Sequence, residues 1–165
     1  MKILIIKREE KPFFITAAHI RDLQAATPNA TIIAVKSAAE IKRHAVDADV
    51  IAAFPWQIPP LVAHAKNLKW IHSFSAGMDR ALTPEIIASP IILSNSSGIH
   101  AVPIAEHIIG FMLIFTRGFY HTFRNQACRA WEKKNDILEL RGKTILIAGL
   151  GDIGREAARP DADKV

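Results

Sequence analysis

The sequence predicts an α/β protein, with a doubly wound parallel sheet over residues 1–95 and the opening of a second strand–turn–helix unit within residues 96–165. Three observations carry that expectation. Short runs of Ile, Val and Leu recur without polar alternation, as in strands buried on both faces. Stretches of helical length separate those runs, which is the order of βαβ units. A glycine-spaced turn, Gly149-Leu150-Gly151-Asp152-Ile153-Gly154, follows directly on the last apolar run.

Taken in order, Lys2–Ile6 reads as the first buried strand. This N-terminus superficially resembles a secretory leader. However, Lys7-Arg8-Glu9-Glu10 closes the apolar stretch after four residues, too few for a leader core, which favours a cytoplasmic protein. Helix is expected over Ile15–Ala26, strand over Thr31–Val35, helix over Ala38–His44 and strand over Asp49–Ala53. Pro59–Lys66 continues the series as helix, Lys69–Phe74 as strand, Pro84–Ala88 as helix and Ile91–Leu93 as strand. Binding loops of open parallel sheets lie beyond the carboxyl ends of the strands, so Ser75-Ala76-Gly77-Met78-Asp79 is the first place to look for a ligand.

Beyond Leu93 the pattern changes. Ser94–Gly98 reads as a loop, and a helix apolar on more than one face is expected from Ala101 to Tyr120, buried between two bodies. A second helix is expected near Thr122–Lys133, then a polar connection, then a new strand at Lys143–Ala148.

Composition bounds the function classes. Half the residues are hydrophobic and 22% are charged, which is globular. The longest apolar run, Ile104–Phe115, is interrupted by Glu106 and His107, so no segment reads as a membrane span. The net charge of +5 comes from dispersed residues, with no basic stripe interleaved with aromatics, which argues against a nucleic-acid partner. A small anionic ligand suits the same balance. The one cysteine, Cys128, excludes an internal disulfide and reads as an incidental thiol. His100, His107 and His121 share a seven-residue phase that suits packing, since a metal site needs closer spacing and further ligands.

The glycine turn has a physical logic. Its strand-before, helix-after setting is the context the G-x-G-x-x-G spacing requires. Gly149 permits the tight turn, Gly151 lets a pyrophosphate approach backbone without interference from a Cβ, and Gly154 lets the helix pack closely on its strand. Free N–H groups at the helix start then face the phosphates.

Several stretches, in order, resemble the D-isomer-specific 2-hydroxyacid dehydrogenases, a family that includes glyoxylate/hydroxypyruvate reductases and phosphoglycerate dehydrogenase. They are Leu68–Asp79, Asn95–His100 followed by Ile104–His107, Arg117, Trp131, and Leu140–Thr144 leading into the glycine turn. The resemblance covers residues 2–159. It implies a flavodoxin-like substrate domain over 1–95. Residues 96–165 would then be an interdomain helix and the first strand–turn–helix of an incomplete Rossmann NAD(P)-binding domain. The implied reaction is hydride transfer between nicotinamide and a small 2-hydroxy or 2-oxo acid.

Carried over by position, the backbone amides of Ala76 and Gly77 would hold the substrate carboxylate, and Ser96 would approach the nicotinamide side of the cofactor. Gly149, Leu150, Gly151, Asp152, Ile153 and Gly154 would hold the pyrophosphate. His100 departs from the Asn more usual in the family, which leaves the local crossing geometry open. The resemblance places a catalytic Arg, an acidic residue and a His in the later cofactor domain, and none has a counterpart in this sequence. The acidic residue expected about 20 residues beyond the turn is also missing, so NAD and NADP both stay open; Asp161 and Asp163 come too early for it. Pro160 breaks the helix where more helix is expected, so Pro160–Val165 reads as the tail of a truncated or frame-shifted chain.

A lone strand–helix pair buries its apolar faces poorly, so residues 1 to about 95 are expected to form a compact sheet domain, with the long helix and residues 143–165 exposed, mobile or associated with another chain. A chain of this content is expected to be inactive alone. The competing reading is a non-catalytic binding or dimerisation module that retains the dehydrogenase scaffold, with a homodimer as its assembly.

Overall fold

Why the apolar runs become strands is plain in a computed structural model, which describes residues 1–8 and 15–159. Five strands pair in the order β2-β1-β3-β4-β5, every pair parallel. They are β1 (Lys2–Ile6), β2 (Thr31–Val35), β3 (Val50–Ala53), β4 (Trp70–Ser73) and β5 (Ile92–Asn95). Alternate residues of one strand serve opposite faces. Leu4, Ile6, Ile51, Ala53 and Ile71 pack with Ala45, Leu61 and Ile86. Ile3, Ile5, Val50 and Ala52 pack instead with Ile20 and Leu23. Each fully buried Leu or Ile contributes about 1.5–3 kcal/mol, which is why uninterrupted apolar runs are stable here.

The covering helices are α1 (Ala17–Ala26), α2 (Ala38–Ala45), α3 (Pro59–Val62) and α4 (Pro84–Ile87). Their starts are set by local chemistry. Thr16 Oγ1 accepts from the His19 amide at 3.3 Å while the Thr16 amide donates to His19 Nδ1 at 3.2 Å, so α1 begins two residues later than its apolar pattern suggests. Ser37 and Thr83 cap α2 and α4 by accepting from the amides of Glu40 and Ile86, and Pro84 fills the first position of α4. α3 follows a 3-10 turn, Pro55–Gln57, and starts at the expected Pro59, but it ends at Val62 rather than Lys66, where the amides of His64 and Ala65 tighten to three-residue bonds with the carbonyls of Leu61 and Val62 at 3.0 Å and 3.2 Å. Among the described residues, no buried side-chain polar atom lacks a partner.

The chain divides into two units, Met1–Ser97 and Gly98–Val165. The second contains α5 (Ala101–Thr116), α6 (Phe119–Ala127) and α7 (Asp152–Ala157). Four expectations change here. The second helix, expected near Thr122–Lys133, is Phe119–Ala127, and the long helix expected to be buried has only Ala105 buried. The long helix does not run to Tyr120: Gly118 sits at φ 68, and the axis bends by 73° between α5 and α6. A Cβ on Gly118 would also meet Lys134 Cδ at 2.7 Å. Lys143–Ala148 forms no strand, because no described segment pairs with it. Ile145 is 47% exposed and Leu146 92% exposed. The tail proposed at Pro160–Val165, with Asp161 and Asp163, lies outside the described residues.

No single described helix is long and apolar enough to cross a membrane, although α5 and α6 reach that length together across their bend. The three in-phase histidines serve separate neighbours. His107 stacks edge-on against Phe111, His121 contacts Asn125 and Glu132, and His100 stands at the start of α5.

Candidate functional site

Two constellations emerge, one in each unit. In the first, β4 ends at Ser73 and the backbone turns through Ser75, Ala76 and Gly77 beside the end of β5. Ser73 is fully buried, and its hydroxyl is used twice, donating to the Ser75 carbonyl at 3.1 Å and accepting from the Ser75 amide at 3.1 Å. The Ser96 amide donates to the same Ser75 carbonyl at 3.3 Å. Asn95 Nδ2 donates to the Ala76 carbonyl at 2.6 Å.

These contacts decide where the loop amides point. Across a planar trans peptide, the carbonyl of one residue and the N–H of the next face opposite ways. The carbonyls of Ser75 and Ala76 are held by Ser73, Asn95 and Ser96, so the N–H groups of Ala76 and Gly77 face away from those anchors. Neither amide donates to a protein acceptor among the described residues. Successive N–H groups presented this way suit an anion. Ala76, Gly77 and Ser96 are therefore brought into one hydrogen-bonded bend.

The same end of the sheet holds a cluster that sequence reasoning missed. The Phe54 and Trp56 rings stack at 5.0 Å, and the Arg8 guanidinium lies over both, 5.6 Å and 5.2 Å from their centroids. Phe74 meets Phe54 edge-on at 5.7 Å. Gln57 Oε1 fixes the cluster's backbone by accepting from the Phe54 amide at 3.0 Å. A Phe-Pro-Trp step just past an apolar strand was the available signal.

His72 stands one face over from Ser73, half-buried between Trp70 and Phe74 at 6.3 Å and 6.0 Å. Its ring contacts Ser94 Oγ at 3.0 Å and Ser96 Oγ at 3.4 Å. Burial pushes its pKa below the ordinary imidazole value, because a charged ring would lose hydration.

In the second unit the glycine turn takes a shape that only its glycines permit. Gly149 adopts φ 112, in the left-handed half of backbone space. A Cβ on Gly154 would stand 2.0 Å from the Gly149 carbonyl oxygen, 3.1 Å from its carbon and 3.3 Å from Ile147 Cγ2. The first turn of α7 is thus pressed against the preceding segment. Cβ atoms on Gly149 and Gly151 would instead meet nothing within 4 Å. The turn is closed on one side and open on the other. Leu150 keeps its carbonyl occupied by Arg155 Nε at 2.8 Å, while the amides of Leu150, Gly151, Asp152 and Ile153 donate to no protein acceptor among the described residues. Free amides beside an open rim at a helix start could hold an anion. The Asp152 carboxylate lies close to Gly98 at the approach to α5, where a Cβ would meet it at 3.5 Å.

Residues 109–161 match the family model described as D-isomer specific 2-hydroxyacid dehydrogenase, NAD binding domain. A hydroxypyruvate reductase of Thermotoga maritima is 30% identical over 94% of this chain and 46% of its own length. A D-3-phosphoglycerate dehydrogenase of Archaeoglobus fulgidus is 35% identical over 69% of this chain and 20% of its own length. Among solved structures, a D-isomer specific 2-hydroxyacid dehydrogenase family protein from Aeromonas salmonicida superposes with a TM-score of 0.79 at 27% identity, over 95% of this chain and 48% of that one. The NAD-dependent formate dehydrogenase of Staphylococcus aureus, solved in complex with NAD, gives 0.66 at 26% identity over 96% and 52%. The chain thus spans about half or less of each relative's length. The family resemblance read from the sequence and its α/β architecture are both borne out.

Proposed function

We infer that this chain, a relative of the D-isomer-specific 2-hydroxyacid dehydrogenases, supplies the substrate loop and the phosphate-binding turn of an NAD(P)-dependent oxidoreductase. The substrate would be a small 2-hydroxy or 2-oxo acid, and the reaction a hydride transfer in the cytoplasm. One observation carries the reading: the 149–154 turn is shut by Gly154 and left open at Gly149 and Gly151, with the amides beside the opening unused by any acceptor among the described residues.

Each group has a definable task. The amides of Ala76 and Gly77 would hold the carboxylate, pre-aimed by their tied carbonyls, so little ordering is needed when the acid arrives. Ser96, at the end of the same bend, would border the nicotinamide. The amides of Leu150–Ile153 would hold the pyrophosphate. When bound, the cofactor would exchange a hydride with carbon 2 of the acid. On this reading Met1–Ser97 is the substrate unit and residues 98–159 the first part of the cofactor unit.

NADH titrated into the full chain, followed by calorimetry or saturation-transfer NMR, tests the reading. Gly151→Val projects a side chain into the open rim at φ −71, a conformation every residue tolerates. It should leave thermal stability unchanged and weaken NADH at least about tenfold, the loss of one hydrogen bond to a charged group. Gly154→Ala cannot fit against the Gly149 oxygen and should both destabilise the turn and abolish binding. Equal NADH affinity in all three proteins would remove the basis of the assignment.

A second reading, self-association through the second unit, draws on its exposed aromatic side chains: Trp131 is 100% exposed and Phe115 67%. Sedimentation velocity across a concentration series separates a monomer from a two-fold pair.

A further inference from the structure

The face of β4 and β5 beside the substrate loop carries an unbroken row of polar atoms. Trp70 Nε1 lies 2.8 Å from Ser94 Oγ, which lies 3.0 Å from His72 Nδ1. His72 Nε2 lies 3.4 Å from Ser96 Oγ, and Ser96 Oγ lies 3.0 Å from the Ser73 carbonyl. Strand register sets the middle of this row, because His72 and Ser94 are Cα partners across the parallel pair.

The two ends have fixed polarity. An indole N–H only donates, and a carbonyl oxygen only accepts; the three groups between them can do either. Working inward from Ser73, the Ser96 hydroxyl hydrogen goes to that carbonyl, so toward His72 the Ser96 oxygen accepts. The proton of the imidazole must then sit on Nε2. That leaves Nδ1 bare, and it accepts from the Ser94 hydroxyl, whose oxygen receives the Trp70 N–H. Every hydrogen has one acceptor, and the whole row runs in one direction. The other neutral tautomer breaks it, since bare Nε2 would face an oxygen whose hydrogen is already directed at Ser73.

We propose that His72 is a positioning residue for the substrate loop: as the Nε2–H tautomer it orients the Ser96 hydroxyl onto Ser73 and so holds the 73–77 bend against the end of β5. The proposal rests on the reading of Ala76 and Gly77 as the carboxylate cradle. Its structural part is the coupling itself. Ser96 ties Ser73 through its hydroxyl and Ser75 through its amide, so the group that fixes Ser96 also fixes the peptide whose N–H belongs to Ala76. Edge-on contacts with Trp70 and Phe74 hold the ring plane in which both nitrogens reach their serines. Burial keeps the ring neutral, as the directional row demands.

Long-range ¹H–¹⁵N spectra of the labelled full chain read the tautomer without any substitution. The expected result at pH 7.5 is a proton on Nε2, with a bare Nδ1. A proton on Nδ1, or rapid averaging between the two forms, overturns the proposal. Amide exchange at Ser96 gives a second readout. His72→Gln keeps a donor toward Ser96 and should leave that exchange near wild type, whereas His72→Phe should speed it about tenfold, the effect of losing one hydrogen bond. Equal exchange in both variants overturns the coupling, and thermal melting of each confirms that it folds.

Sodium oxalate is the third probe. It should shift the Ala76 and Gly77 amides in the wild type and in His72→Gln, and bind about tenfold more weakly to His72→Phe. Undiminished binding to His72→Phe counts against positioning. If oxalate moves neither amide in the wild type while tautomer and exchange behave as stated, the carboxylate reading fails, and the control of the bend by His72 is supported on its own.

Discussion

Lys2–Ile6 and Lys143–Ala148 are close in composition, each opening on a lysine and running through Ile and Leu, yet they adopt different states. The first is β1, paired on both sides by β2 and β3, with Leu4 and Ile6 fully buried. The second has no strand partner among the described residues and exposes Leu146 almost completely. The difference lies in the neighbours. A strand leaves half its backbone groups unsatisfied on each side until another strand takes them, and it leaves its side chains in water until helices cover both faces. Strand propensity proposes a segment, and the partners decide whether it becomes one.

That contrast can be broken in three ways. The largest effect should appear in hydrogen exchange. Amides of Ile3–Ile5 should be protected about 1,000-fold or more, at the level of global unfolding, while Ile145–Ile147 exchange close to the unprotected rate. Strong protection over 143–148 in a monomer would overturn the comparison. Truncation should differ next. Leu4→Ala should cost about 2–5 kcal/mol in urea unfolding because it leaves a cavity in a packed interior, whereas Leu146→Ala should stay within about 0.5 kcal/mol.

The smallest effect concerns His72 on β4 and has a definite sign. The folded-state pKa of His72 lies below its unfolded value of about 6.5, so the unfolded chain binds the proton more readily in the window between them. The stability that His72 contributes is present above about pH 6.5. It falls as pH drops toward the folded pKa. Melting temperatures at pH 7.5 and pH 5 should therefore diverge more in the wild type than in His72→Gln. Parallel shifts would remove His72 from the acid sensitivity of this unit.

How much of this was legible in the sequence follows from the same physics. The five strands of the sheet matched their expected spans to within two residues, since a buried parallel strand writes its whole length as apolar residues. The glycine turn was legible because two of its glycines answer a backbone demand: Gly149 adopts φ 112, and a Cβ on Gly154 would stand 2.0 Å from the Gly149 oxygen. The break at Gly118 was not read, because a single glycine in an apolar helix is common and only its positive φ reveals the bend. The placing of Arg8 over Phe54 and Trp56 and the row through His72 were invisible for another reason. Both join residues separated by more than 20 positions, brought together by strand order that no local pattern encodes.

If the Ala76 and Gly77 amides hold the substrate carboxylate, as proposed, recognition rests on backbone and has an unusual evolutionary signature. Side chains at 75–77 are free to drift, since the N–H groups of Ala76 and Gly77 persist whatever residues carry them, proline excepted. Selection would instead act on Ser73, Asn95 and Ser96, which turn those groups outward without touching the carboxylate themselves. Among descendants with altered substrate preference, the loop sequence should vary first and its three moorings last.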